Sequence, residues 1–229
     1  ELAKQGAGFT SPNPCVGAVI VKGGVIVAEG WHHRAGEDNA EIVAIKEIIK
    51  KSGIVTVDLD PNLFHNAALY VTLEPCSHHG RTPPCAEALI EAGVARVVVA
   101  VQDPNPQVAG EGIAKLRAAG IAADCGLMEA EARELNAGFF ARMTRGTPWL
   151  RSKIAMSLDG RTALANGASQ WITGEAARRD VQHWRARSCA VLTGIDTVLA
   201  DDPQLNVREV QTVRQPLRVV LDSRLRMPL

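Results

Sequence analysis

Apolar positions along the first two thirds of the chain follow two rhythms. In "VGAVIVKGGVIVAEG" two β-branched runs flank Lys22-Gly23-Gly24, which predicts a β-hairpin. Ile42, Ile45 and Ile49 then recur at helical spacing in "AEIVAIKEIIKK". "ALYVTL" reads as an apolar strand, and "PPCAEALIEAG" as a helix with prolines before it and Gly93 to close it. "ARVVVAVQDPNPQ" predicts a buried strand running into a turn-rich loop, and "GEGIAKLRAAGI" and "EAEARELNAGFFARM" predict one helix each. The connection "SGIVTVDLDPNLFHNA" is longer than its neighbours and is expected to be a surface insertion. Strands alternating with helices in this way predict an α/β fold, a three-layer sandwich around one sheet.

The rhythm breaks at "TRGTPW", Thr144 to Trp149, and then restarts. A strand in "PWLRSKIAMS", a helix around "GEAARRDVQHWRARS", and strands in "CAVLTG" and "LRVVLDS" are expected. A boundary near Gly146 divides the chain into 1–144 and 145–229. The second part is short for an independent α/β domain and is expected to be incomplete. The opening "ELAKQGAG" reads as the end of a helix that starts earlier.

The 229 residues carry 25 basic and 25 acidic side chains, so no excess charge points to nucleic acid. No apolar run is long enough for a membrane span, and no secretory pattern opens the chain. Five dispersed cysteines, Cys15, Cys76, Cys85, Cys125 and Cys189, argue against a disulfide framework and for a cytoplasmic location.

Cys76 and Cys85 each sit beside a proline in "VTLEPCSHHGRTPPCAEALIEAG", and a close thiol pair suits zinc. A catalytic zinc needs a third protein donor, which a His-Ala-Glu before a helical run would supply. This chain has Asn39-Ala40-Glu41. Glu41 is placed to move a proton during deamination of a nucleobase-like ring. The same segment also fits a helix start, with Asp38-x-x-Glu41 as a capping box or Asn39 as an N-cap.

"TSPNPCVGAVIVKGG", "GWHHRAG", "LEPCSHHGRTPPC", "SKIAMSLDGRTALANGASQWITG" and "TVLADDPQLNVR" together resemble the bifunctional riboflavin-biosynthesis deaminase–reductases, in the same order. The resemblance implies a cytidine-deaminase-like first domain and a dihydrofolate-reductase-like second one. It implies zinc-dependent hydrolytic deamination of a diaminopyrimidinone ribosylamino 5'-phosphate, then reduction of the ribosyl chain to ribityl by NADPH. It makes Cys76 and Cys85 zinc ligands, Glu41 the proton carrier, and puts Asn39 where the family has histidine. Asn13, His32, His78 and Arg81 fall in segments lining its pyrimidine and phosphate pocket. In the second domain, Ala155, Trp171, Thr197, Asp201 and Ser223 match cofactor-contacting positions. Ser169, Arg185, Leu205 and Arg208 match substrate-contacting ones.

Asn39 leaves a second reading open, in which the first domain binds zinc poorly and serves as a binding or assembly scaffold for the reductase. His32, His33, His78 and His79 are the nearest imidazoles in sequence that could take the third position. Small-molecule pyrimidine ribose phosphates are the expected partners, with no nucleic acid, no membrane and a homo-oligomeric assembly.

Overall fold

The computed structural model describes residues 1–53, 63–78 and 83–228. Arg81 and His79 lie outside the described residues, as does most of the long connection after the first helix. The described chain forms two units, Glu1–Trp149 and Leu150–Leu229.

The first unit opens with a short 3-10 helix, Leu2–Gly6, and the predicted hairpin of β1 (Gly17–Lys22) and β2 (Val25–Trp31). Gly23 and Gly24 both hold positive φ, the conformation a tight two-residue turn between right-twisting strands demands. Next come α1 (Ala40–Ser52), β3 (Ala68–Val71), α2 (Cys85–Ala92), β4 (Arg96–Val99), α3 (Glu111–Ala118) and β5 (Ala122–Cys125). The five strands form one mixed sheet in the order β2-β1-β3-β4-β5. β1 is antiparallel to both its neighbours, whereas β3, β4 and β5 run parallel.

The main core draws on Ala18, Ile20, Leu69, Val71, Val97 and Val99 from the sheet. Ala44, Ile45 and Ile48 of α1, Leu89 of α2 and Leu116 of α3 cover them. The buried stripe of α1 is thus turned from the predicted one: Ile45 is in it, while Ile42 and Ile49 are half-buried. Alanines at 40 and 44 let α1 lie close on β2, where a Cβ on Gly30 would stand 2.4 Å from the Ala40 carbonyl oxygen. The end of the predicted surface insertion is also core. Phe64 and Ala67 are fully buried members of the main core.

The expected single helix after β5 is two, α4 (Glu129–Leu135) and α5 (Ala137–Arg145). They break at Asn136, whose side chain is hydrogen bonded to the backbone of Cys15. A second cluster, Leu73, Ala100, Val101, Ala132 and Phe140, seats this pair. β5 is a strand the periodicity misses; three of its four residues are exposed, as on a sheet edge.

The second unit contains α6 (Glu175–Arg187), β6 (Ala190–Gly194), α7 (Ile195–Asp201) and β7 (Leu217–Leu221). β6 and β7 pair in parallel as a two-stranded sheet. The strand expected in "PWLRSKIAMS" is absent from the described structure. Leu150, Ile154 and Met156 there are exposed, and an apolar run becomes a strand only beside a partner edge. The described residues thus form an α/β unit around a five-stranded mixed sheet and a smaller α/β unit around a two-stranded one.

Candidate functional site

In the first unit, two helix starts converge. Asn39 occupies the N-cap position of α1, but its side chain makes no capping bond. It turns to the thiols instead, with Nδ2 3.1 Å from Cys85 Sγ and 3.7 Å from Cys76 Sγ. Cys85 is the first residue of α2, and its backbone N–H donates to Cys76 Sγ at 3.3 Å. Glu41, one residue into α1, is buried within reach of both sulfurs. The side-chain capping reading of Asn39 is thereby corrected: Nδ2 donating to the two sulfurs sets the orientation of the amide, and Oδ1 accepts no bond from the first N–H groups of α1.

Electrostatics divide the roles. A hydrogen bond from the Cys85 thiol draws the Cys76 thiol down to about 6, against the opposing cost of burial. Cys85 is pushed up by that same bond and by burial. Burial pushes the Glu41 carboxyl up to about 7, and the Cys76 charge adds to the rise. A carboxyl near neutrality can both take and return a proton.

Two further residues, to which the sequence reading assigns no role, hold this geometry. Glu74, buried at the end of the β3 segment, accepts N–H bonds from Asp103, Gly110 and Ile113 at 3.1, 2.9 and 3.2 Å. It latches the loop after β4 onto the Pro75–Cys76 turn. Gly112 makes the approach possible, because a Cβ there would lie 1.9 Å from the Pro75 carbonyl oxygen. An acidic residue ending an apolar strand in "YVTLEPC" was the available signal. The second is Asn136, treated below.

His32 is buried, with Nε2 3.0 Å from Asn13 Nδ2 and Nδ1 3.0 Å from the Asp38 carbonyl oxygen. The carbonyl can only accept, so Nδ1 carries the proton and Nε2 accepts from Asn13. The ring thus ties the loop of Asn13 to the residue before Asn39. His78 is exposed and joins no ligand cluster. A surface depression of about 400 Å³, lined by His33, Gly36, Glu37, Asp38 and Val43, opens next to the start of α1 and contains neither cysteine nor Glu41.

In the second unit, Arg185 donates Nη1–H to the Asn206 carbonyl at 3.0 Å, and the Arg208 N–H donates to Gln182 at 3.1 Å. Burial, and then the charge of Arg208, lower the Arg185 pKa. The two guanidinium groups therefore stand near each other, and Leu205 is buried. Arg178 stacks over the exposed Trp171 ring at 4.5 Å. Thr197 and Asp201 share α7, while Ala155, Ser169 and Ser223 lie in segments without helix or strand.

Residues 1–101 match the cytidine and deoxycytidylate deaminase zinc-binding region, and 148–229 match the RibD C-terminal domain. The chain is 53% identical over 239 aligned residues to the riboflavin biosynthesis protein RibD of Escherichia coli, covering 99% of this chain and 62% of that protein. It is 48% identical to the protein of the same name from Aquifex aeolicus, over 100% of this chain and 61% of that one. A solved structure of Acinetobacter baumannii RibD superposes with a TM-score of 0.87 at 52% identity, over 99% of this chain and 62% of that one. A diaminohydroxyphosphoribosylaminopyrimidine deaminase/5-amino-6-(5-phosphoribosylamino)uracil reductase from Thermotoga maritima gives 0.86 at 44% identity, over 96% and 60%. Fold and site together define a deaminase-type domain joined to a RibD C-terminal-type domain. The chain belongs to the RibD family, and it spans about three fifths of the length of the curated relatives it matches.

That family implies zinc in the first domain. A catalytic zinc takes three protein donors and a water. Cys76 and Cys85 suit two of those positions. The third neighbour, Asn39, faces the sulfurs with N–H groups, which have no lone pair to give, and a carboxamide oxygen is a poor zinc donor beside imidazole. No set of three His, Cys, Asp or Glu side chains that could hold a metal occurs among the described residues. The described residues do not complete the donor set, and none of the described histidines replaces Asn39 in it.

Proposed function

We propose that the chain carries the two activities of its family, deamination of a diaminopyrimidinone ribosylamino 5'-phosphate in the first unit and NADPH-dependent reduction of the ribosyl chain in the second. The observation that carries this reading is the convergence of Glu41, Cys76 and Cys85 at two helix starts, in a chain matched end to end by RibD proteins. Replacing a ring amino group by oxygen requires a proton to leave the attacking water and another to reach the departing ammonia. Glu41, with its carboxyl near neutrality, serves both transfers. Asn13, His32, His78 and Arg81 belong to the segments that line its pyrimidine and phosphate pocket.

In the second unit, Arg185 and Arg208 hold the ribose phosphate through charge-assisted bonds, with Ser169 and Leu205 beside them. Ala155, Trp171, Thr197, Asp201 and Ser223 contact NADPH. The dispersed cysteines of the sequence favour a cytoplasmic enzyme. No helix among the described residues is long and apolar enough to cross a membrane. Light scattering on the purified chain tests the homo-oligomer expected of it.

The Asn39 amide lying on both sulfurs favours a second reading for the first unit: weak zinc binding, with the domain kept as a binding or assembly scaffold for the reductase. One experiment separates the two. Zinc per chain and ammonia release are measured for the present chain, Asn39→His and Glu41→Gln. Under the first reading all but Glu41→Gln release ammonia. Under the second, only Asn39→His gains both zinc and activity.

A further inference from the structure

Asn39 Nδ2 donates to Cys85 Sγ at 3.1 Å and to Cys76 Sγ at 3.7 Å, and the Cys85 N–H donates to Cys76 Sγ at 3.3 Å. A further bond, from the Ala86 N–H to the Cys76 carbonyl at 3.1 Å, ties the first turn of α2 to the turn that carries Cys76. Asn39 precedes α1 and Cys85 opens α2, so one amide joins the starts of two helices. It also joins the two sulfurs, as a metal ion with two sulfur ligands would. These bonds need only lone pairs on sulfur, which a thiol and a thiolate both have.

We infer that Asn39 is a positioning residue that takes over the mechanical role of a metal ion, holding Cys76, Cys85 and the start of α1 together by hydrogen bonds alone. The inference rests on the weak-zinc reading and adds to it what keeps the pocket assembled. The carboxamide suits this task for the same reason that it fails as a ligand: it turns donors, not lone pairs, toward sulfur. Sulfur is a weak acceptor, so such a clasp cannot carry the fold. The core beneath it does. Ala40, Ala44 and Ile48 of α1 and Ala86 and Leu89 of α2 are buried in one cluster with the sheet. Removing the donors therefore loosens the site and lowers stability modestly, without unfolding the unit. Where side chains complete a metal site, metal binding is part of the folding free energy. With the clasp in its place, the stability of the first unit does not depend on zinc.

The test melts the full chain in chelator as wild type, as Asn39→Leu, as Cys76→Ala with Cys85→Ala, and as all three together. Leucine keeps the bulk of asparagine and removes its donors. Asn39→Leu alone should lower the melting temperature by about 2–4 °C, the shift one net hydrogen bond gives in a unit of this size. It should have no further effect once both sulfurs are gone. In the same metal-free protein, iodoacetamide should alkylate Cys76 and Cys85 faster in Asn39→Leu than in wild type. Peptide mass mapping separates them from the exposed Cys125 and Cys189, and this arm stands even where the triple variant fails to fold. No melting shift, equal shifts with and without the sulfurs, or wild-type alkylation rates in Asn39→Leu would overturn the clasp and leave the weak-zinc reading intact. A second arm adds zinc to wild type and to Asn39→His. A rise in melting temperature for Asn39→His alone is expected. Equal rises in both would overturn the weak-zinc reading, and with it the replacement of metal by Asn39, whatever the alkylation shows.

Discussion

Asn136 grips the backbone of Cys15 from both sides, its Oδ1 accepting the Cys15 N–H at 2.8 Å and its Nδ2 donating to the Cys15 carbonyl at 2.9 Å. The side chain acts as a one-residue strand partner for the loop that carries Asn13. Since Asn13 meets His32, and His32 meets the Asp38 carbonyl, the grip extends to the start of α1.

Removing it should be costly. Asn136→Ala removes two buried hydrogen bonds, each contributing roughly 0.5–1.5 kcal/mol. Urea denaturation of the full chain should show the midpoint of the first unit falling accordingly. A shift within experimental error would mean that water replaces the amide.

Gly112→Ala should perturb the thiol site from outside it. The new methyl collides with the Pro75 carbonyl, next to Cys76, and overpacking of this kind costs about 1–3 kcal/mol. A lower melting temperature together with a changed rate of Cys76 alkylation is expected. Glu74→Gln should act in the same direction, because an amide group would set an N–H against one of the three N–H donors the carboxylate now receives. Wild-type alkylation rates in both variants would show that the latch does not position Cys76.

How much of this was readable varies with the range of the interaction concerned. The hairpin, α1 and α2 declare themselves locally, through paired glycines, a helical stripe, and Gly93 closing α2 with a left-handed backbone. The break at Asn136 does not, because its cause is a contact 121 positions away. β5 is short, and its residues alternate too weakly to announce an edge strand. At the site, Glu41 and the two cysteines stand in recognisable spacing. The turn of Asn39 toward the sulfurs was hidden, since its local chemistry equally favours capping a helix.

Trypsin at limiting dose should cut first between α5 and the second unit, after Arg145 or Arg151. Gly146 ends α5 in a left-handed conformation, and the residues from 145 to 151 are all exposed. Fragments ending near Trp149 and beginning near Leu150 are expected by mass spectrometry, with the first fragment the more resistant. Initial cleavage inside the β1–β4 sheet would contradict the division.

Arg208→Ala should weaken ribose-phosphate binding more than NADPH binding. Loss of one charged donor to a phosphate costs ~1.5–3 kcal/mol. Calorimetric titration of each ligand into wild type and variant measures both. Unchanged phosphate affinity with lost NADPH binding would reverse the roles assigned to the arginines and α7.

The Asn136–Cys15 grip also sets an order of events during synthesis. The loop of Asn13 leaves the ribosome early, yet the side chain that fixes it is made 121 residues later. Until α4 and α5 have emerged and docked, the nascent pocket has its hairpin and thiols but no fixed N-terminal wall. A contact of such long sequence separation forms late in folding. The growing chain therefore passes through an interval in which its reactive thiols exist before the pocket around them is finished.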